Sequence, residues 1–504
     1  MSPSLIVITI VLSFLLTLAL TWVGLKWFPH FVSGEKKAGV YRDDHVEQGG
    51  SGRLPSVGGP AIILGITIIT VLVAYVRHWG WEQTAAVIGT LWLFGGVGLA
   101  DDLSKAMRWR GLGEGAKWAG VGMASLLVAL FLYWRLGFDQ PYPPYASWSL
   151  FQNSVVWGVF FFSLALAVMA ASSLSANMSD GLDGLTGGLG FFASIAFIII
   201  AAVQGNIVLA IFCAGLIGAS AGFLRWNWPS NWTRTTSVAR RAKAYLGDSG
   251  ALALGGALAV VALLSKTELL WFIIGGVFVL EGGSALIQTR ILTRLFRTFL
   301  KLPRYAEVDA FVPHTEFPLP FRATPLHHHF DLLKLPRVTT VYGFWLAGLV
   351  FALLGVASYL AGAFWLKALL VGLGLAFVAA IWTVGTWTRS CFLGFCPSLE
   401  GSDKRVVLCY GKPYQLGRWK LYRVQEMTQL MESSIPGLPL AGLLWKTLSV
   451  NDAYAVLGYL HYERSEYAEA VSWWRKVDLP NLQVRPHIQM LLEDAVEKSQ
   501  GVSL

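Results

Sequence analysis

Long apolar stretches recur along the first three quarters of the chain, and polar residues collect in short segments between them. A bilayer core of about 30 Å takes roughly 20 apolar residues to cross as a helix. Stretches of that kind lie at about 5–28, 57–76, 84–100, 118–136, 156–176, 185–203, 206–224, 249–264, 269–289, 338–360 and 365–387. The pattern predicts an all-α fold, a polytopic membrane helix bundle of 10–11 transmembrane helices. The first stretch has no Lys or Arg before it and has Lys26, Lys36 and Lys37 after it. A retained span with its N-terminus outside is expected rather than a cleaved leader, which would need a basic start.

From about Ser390 the chain turns polar, and Asn451 to Val477 has the spacing of two amphipathic helices. Leu457, Gly458, Ala470 and Trp474 match a tetratricopeptide hairpin, although such repeats usually need about three copies to be stable. The expected organisation is a ten-span domain over 1–360, an extra transmembrane helix over 361–389 and a polar, mainly helical extension over 390–504. Binding of a protein partner is one reading of the extension; a plain hairpin packed on neighbouring helices is the other.

Composition agrees with a lipid environment. Charged residues make up 14% of the 504 residues, against about 25% in a soluble domain. The mean hydropathy of +0.55 and the 22 tryptophans exclude disorder and a collagen-like chain. A net charge of +9 raises the question of nucleic acid, but the basic residues follow the membrane topology. If the first span enters from outside, Lys36, Lys37, Arg42, Arg53, Lys105, Arg108, Arg110, Lys117, Arg234, Arg240, Arg241 and Lys243 all fall in cytoplasmic segments. The positive-inside rule accounts for them, and no nucleic-acid partner is expected. The four cysteines, Cys213, Cys391, Cys396 and Cys409, are too few and too scattered for a disulfide framework or a zinc site.

Four polar clusters interrupt this pattern. Asp101 and Asp102 follow the run L-W-L-F-G-G-V-G-L-A, with Lys105 one helical turn beyond Asp101. S-A-N-M-S-D-G-L-D-G-L-T-G-G runs from Ser175 to Gly188 and repeats Asn177, Asp180 and Asp183 every third residue between glycines that let a ligand approach the backbone. Asp248 lies in Y-L-G-D-S-G, where helix capping is the ordinary reading. His327, His328 and His329 stand in P-L-H-H-H-F-D. Consecutive helical residues do not face one way, so hydrogen bonding to phosphate, or pinning of the loop, is expected of them rather than a three-histidine metal site. Glu281, inside the ninth stretch, is a further polar contact toward the site or toward a neighbouring helix.

Each cluster read alone could be a solvated turn. All four, however, fall on the same side of the predicted topology, which favours one shared site. The five aspartates offer hard oxygen ligands of the kind Mg²⁺ takes, usually one or two carboxylates together with substrate phosphates. A secondary transporter is the rival from another class; it should carry its acids near the bilayer midplane and show paired repeats, and neither is apparent.

The four motifs, in this order, resemble the polyprenyl-phosphate N-acetylhexosamine-1-phosphate transferase superfamily, over roughly Val57 to Leu360. The P-L-H-H-H-F-D and N-M-S-D-G-L-D-G-L versions are most similar to its bacterial phospho-N-acetylmuramoyl-pentapeptide-transferase branch. The N-acetylglucosamine-1-phosphate transferases, which usually interrupt the histidines with an isoleucine, are the nearest alternative. The resemblance implies an Mg²⁺-dependent enzyme of the bacterial cytoplasmic membrane, with its site facing the cytoplasm. Such an enzyme makes lipid I and UMP from UDP-MurNAc-pentapeptide and undecaprenyl phosphate. Family members dimerise, so a homodimer is expected by resemblance alone.

Position by position, the resemblance implies Asp248 as a metal ligand and Asp101 and Asp102 as groups that deprotonate or orient the lipid phosphate. Asn177 and Asp180 would organise metal and pyrophosphate, and Gly181, Leu182 and Asp183 would lie against the uridine, with Tyr245 in the place of an aromatic residue that stacks on uracil. Lys105, Lys117 and the three histidines would serve the phosphates, and Asn227, Ser56 and Arg322 match further substrate-binding elements. The chain departs from the family pattern at Gly52 to Gly59, where Ser51 stands in place of a lysine, and in a longer basic segment between Asn227 and Asp248. It also departs at Lys301 to Phe321, which is inserted, and at Arg337, which replaces a glutamate.

Overall fold

The computed structural model describes residues 3–31, 55–78, 80–108, 111–228, 242–288, 324–331, 337–361, 372, 391–397, 404–416, 419–431, 450–477 and 486–499. Two compact units divide the chain, one formed by Met1–Ile287 with Thr324–Ala376 and the other by Gln288–Ala323 with Phe377–Leu504.

The first unit is a helix bundle. Its long helices are α1 (Pro3–Trp27), α2 (Gly58–Arg77), α3 (Trp81–Arg108), α4 (Glu114–Arg135), α5 (Ser154–Ser179), α6 (Leu185–Val203), α7 (Ile207–Asn227) and α8 (Gly247–Leu264). After the short helices α9 (Glu268–Ile274), α10 (Gly276–Ala285) and α11 (Leu326–Asp331) comes α12 (Arg337–Leu360). Among the described residues, nine helices are long and apolar enough to cross a membrane. The chain is a multi-pass membrane protein. Lipid-facing positions such as Val7, Leu15, Val155, Val159 and Leu346 keep their apolar side chains exposed, as a hydrocarbon solvent allows.

Helix starts follow the local chemistry. The Asn153 side chain accepts the N–H groups of Val155 and Val156 at 3.0 and 3.2 Å to open α5, and Asn206 accepts that of Leu209 at 3.2 Å to open α7. Packing relies on small residues, because helices in lipid associate through close approach and interhelical hydrogen bonds rather than through hydrophobic burial. Helix α8 is mostly Ala, Gly and Leu and almost wholly buried. The Ser172 and Ser173 hydroxyls of α5 donate to the carbonyls of Gly255 and Leu252 in α8, at 2.6 and 3.1 Å. Ser13 of α1 likewise donates to the Gly215 carbonyl of α7 at 2.8 Å.

The predicted ninth stretch, 269–289, is not one straight span: α9 and α10 meet at an angle of 85° at Gly275. The break sits where a Cβ on Gly275 would lie 2.6 Å from the Trp271 ring. Residues 137–153 cover the end of the bundle where α9 begins, and the Tyr142 hydroxyl donates to Glu268 Oε1 at 3.1 Å. The predicted eleventh stretch, 365–387, lies outside the described residues.

The second unit contains a sheet that the sequence reading does not include. Strands β1 (Cys391–Pro397), β2 (Lys404–Leu416) and β3 (Trp419–Met431) pair antiparallel in that order, with Leu393 opposite Leu408 and Val407 opposite Met427. Helices α13 (Val450–Glu463), α14 (Tyr467–Trp474) and α15 (Pro486–Ser499) follow. Leu393, Val406, Leu408 and Leu430 from the sheet share a core with Ala453, Leu457 and Trp473. Within the α13–α14 hairpin Gly458 lies against the Trp474 indole, whose N–H donates to the Ala455 carbonyl at 3.1 Å.

Candidate active site

Helix α3 ends in the sequence Ala-Asp-Asp-Leu-Ser-Lys, and its last turns carry Asp101, Asp102 and Lys105. Adjacent helical residues point in different directions, so the two buried aspartates do different things. Asp101 Oδ2 lies 2.9 Å from Lys105 Nζ and 2.8 Å from Lys117 Nζ of α4, and its Oδ1 accepts the Leu112 N–H at 2.5 Å. The same two ammonium groups reach Asp248 Oδ2, at 3.1 and 2.5 Å. Two carboxylates and two ammoniums thus form one balanced cluster, partly open to solvent at the lysines and Asp248.

Asp102 faces the start of α8. Its Oδ1 accepts the Asp248 N–H at 3.1 Å and its Oδ2 the Ser249 N–H at 3.0 Å. The ordinary capping reading of Asp248 does not apply here: Asp102 supplies the cap from another helix, and the Asp248 side chain meets the lysines. Gly247 makes this approach practicable, since its φ is +73° and a Cβ there would sit 2.6 Å from Asp102 Oδ2.

The turn after α5 forms the next wall. The Tyr245 hydroxyl donates to the Asp180 carbonyl at 2.5 Å. Around Asp180, Oδ2 is buried with no partner among the described residues. Burial, followed by the nearby carboxylates of Asp248, Asp183 and Asp102, holds the Asp180 carboxyl well above the usual carboxylate range. Burial and the same group of acids, with Asp180 itself, push the Tyr245 phenol up. Asn177 closes the last turn of α5, its carbonyl accepting the Asp180 N–H at 3.3 Å. Leu182 is buried, whereas Gly181 is exposed.

Asn227 ties two of these walls together: its Oδ1 accepts the Gly184 N–H at 2.7 Å and its Nδ2 donates to the Ala244 carbonyl at 3.0 Å. Ser56 is buried beside the same loop, where the Tyr245 N–H donates to Pro55 at 2.9 Å and the Gly58 N–H to Tyr245 at 3.0 Å. The histidine motif forms α11. His327 and His329 are buried and His328 is half-buried, and a Cβ on Gly181 would collide with His327 Nε2. The structure thus joins the 101, 180, 248 and 327 motifs through contacts within one unit. Arg322 lies outside the described residues, as do the basic segment 229–241 and the insertion at 301–321.

Sequence reasoning missed two contributors, the Leu112 N–H and the Trp345 indole, which donates to the Gly184 carbonyl at 3.1 Å. A backbone donor leaves no mark in composition, and a tryptophan in a membrane helix reads as lipid-facing.

Among the described residues no three His, Cys, Asp or Glu side chains are grouped to hold a metal ion. Mg²⁺ needs fewer, because it keeps waters and takes substrate phosphates alongside one or two carboxylates. The unpartnered buried oxygen of Asp180, together with the nearby Asp248 carboxylate, fits such a hard cation.

Comparison with known proteins shows which family the chain is similar to. The glycosyl transferase family 4 profile matches residues 84–266. A phospho-N-acetylmuramoyl-pentapeptide-transferase of Geobacillus sp. (strain WCH70) is 32% identical over 357 residues, which is 71% of this chain and 98% of the relative. The proteins of the same name from Geobacillus thermodenitrificans (strain NG80-2) and Bacillus thuringiensis (strain Al Hakam) are also 32% identical, over 358 and 352 residues. Those alignments cover 71% and 70% of this chain and 98% and 97% of the relatives.

Proposed function

The chain belongs to the phospho-N-acetylmuramoyl-pentapeptide-transferases of glycosyl transferase family 4, and on that premise we propose that it transfers phospho-MurNAc-pentapeptide from UDP to undecaprenyl phosphate, giving lipid I and UMP. The observation that carries this reading is the pair of lysines, Lys105 and Lys117, shared between Asp101 and Asp248. Both substrates are anionic, and phosphoryl transfer asks the protein chiefly to position groups and to neutralise charge.

The lipid phosphate oxygen forms a new bond to the sugar-bearing phosphorus as the bond from that phosphorus to UMP breaks. The lysines, already gathered by Asp101 and Asp248, offer two cations to the phosphate charge. Asp102 holds the start of α8 and so fixes where Asp248 stands. Tyr245 and the 180–184 turn form the wall offered to the uridine. Asp248 and Asp180 would hold Mg²⁺, which supplies charge neutralisation across the pyrophosphate. The lipid phosphate is already ionised at neutral pH and needs little activation, which supports its direct attack over an aspartyl-phosphate intermediate. The basic segments around the site support a cytoplasmic orientation.

The test is UMP release by the purified protein in detergent with undecaprenyl phosphate and Mg²⁺, offered UDP-MurNAc-pentapeptide and UDP-N-acetylglucosamine in parallel. Release from the muramoyl nucleotide alone is expected. Release from the other alone would keep the chemistry and overturn the substrate, and no release from folded protein would overturn both.

A further inference from the structure

Helix α10 carries a buried carboxylate that the account above does not use. Glu281 is 0% exposed and His327, 46 positions later, is 1% exposed. His327 Nδ1 lies 2.8 Å from Glu281 Oε2, and the His327 backbone N–H donates to Glu281 Oε1 at 3.1 Å. One carboxylate therefore fixes both the start of α11 and the plane of the imidazole, and it assigns the Nδ1 proton to the Glu281 side.

The other ring nitrogen is the informative one. His327 Nε2 is buried without a hydrogen-bond partner among the described residues, and it abuts Gly181 so closely that any Cβ there would collide. The adjacent Asp180 has an unpartnered buried oxygen of its own. Buried polar groups are almost always satisfied, and one left open calls for a ligand or a water. A histidine pinned only for structure would spend its second nitrogen on a protein acceptor. This one is instead held on its far side and left open toward the turn that carries the site.

We propose that Glu281 is a positioning residue, which holds the His327 ring so that Nε2 donates a hydrogen bond to a phosphate oxygen of the bound nucleotide sugar. The proposal rests on the function proposed above. A carboxylate partner suits that task better than an amide, because its oxygens only accept, so it holds the ring by Nδ1–H and leaves Nε2 turned toward the bound phosphate. The arrangement resembles in its logic the outer partners that orient metal-bound histidines, whose loss costs about 10–100-fold in activity.

The experiment is the UMP-release assay with the full-length protein, comparing wild type, Glu281→Gln, His327→Gln and the double variant, with thermal stability measured on each. Glu281→Gln is expected to lower kcat by about 10–100-fold while KM for the nucleotide moves much less. Glu281→Asp should recover part of the loss. The double variant should be no slower than His327→Gln alone, since the carboxylate acts through that ring. Wild-type turnover in Glu281→Gln, losses that multiply in the double variant, or a loss that only follows the unfolded fraction would overturn the proposal. Failure of the wild-type protein to release UMP would instead overturn the function, and this assignment with it.

Discussion

The carboxylate of Asp102 accepts the backbone N–H of Asp248 at 3.1 Å, so one of two adjacent aspartates on α3 caps the helix that presents the other half of the site. Replacing Asp102 with Ala removes a cap worth about 0.5–2 kcal/mol and releases Asp248 from its place. The expected outcome is a lower thermal midpoint together with lost turnover. Asp101→Asn, which breaks only side-chain ion pairs, should lose turnover with a smaller change in midpoint. Equal midpoints for Asp102→Ala and wild type would remove the capping role.

Gly247 is the residue that admits this contact. Its left-handed φ would cost another residue roughly 1–2 kcal/mol, and a Cβ would press on Asp102 Oδ2. Gly247→Ala is expected to reduce kcat by at least tenfold in protein that still folds. Unchanged kcat would show that the Asp102 to Asp248 spacing is not critical.

Lys117 and Lys105 share their acids, so loss of either leaves two carboxylates around one cation. Removing one preorganised donor to a developing charge usually costs about 10²–10³ in kcat. Lys117→Met and Lys105→Met should each fall in that range. Retained kcat with a raised KM would place the lysines in binding alone.

Asp180 gives a pH test of the proposed cation site. Its carboxyl is held well above the usual range by burial and by Asp248, Asp183 and Asp102, so the folded state binds its proton more tightly than the unfolded chain does. The stability linked to that proton is complete below the unfolded value of about 3.9 and is lost as pH rises through the folded value. In chelator, the wild-type midpoint should therefore fall relative to Asp180→Asn as pH rises from acid toward neutral. Adding Mg²⁺ should reverse the fall and release protons. Parallel midpoint curves with and without Mg²⁺ would remove Asp180 from the cation site.

The extension holds a core of its own, built on Leu393, Leu408, Leu457 and Trp473. Deleting residues beyond Thr388 is expected to leave turnover within a fewfold of wild type. Abolished turnover in a folded truncated protein would make the extension part of the working enzyme.

Much of the architecture was legible from the chain because lipid forces each span to be a long apolar run. The boundaries of α2, α6, α8 and α12 fall within a few residues of the apolar stretches. The break at Gly275 was not legible: the stretch is apolar throughout, and only the Trp271 ring against the glycine shows the corner. The sheet was hidden for another reason. Strand β2 carries Lys404, Arg405, Lys412 and Pro413 and slips register between Gly411 and Gln415, so the alternation that marks a strand is obscured. At the site, the residue types and their common membrane side were readable, but their division of labour was not. No spacing rule says that Asp102 rather than Asp248 supplies the cap, or that Glu281 meets His327.

The proposed function requires motifs far apart in sequence to work as one catalytic centre around Asp248. The most direct measurement is UMP release from UDP-MurNAc-pentapeptide by Asp248→Asn beside wild type, at matched folded protein and saturating Mg²⁺. The expected result is a loss of about 10³-fold or more in kcat, in line with removal of a principal charge-handling group. Turnover within tenfold of wild type would contradict the account.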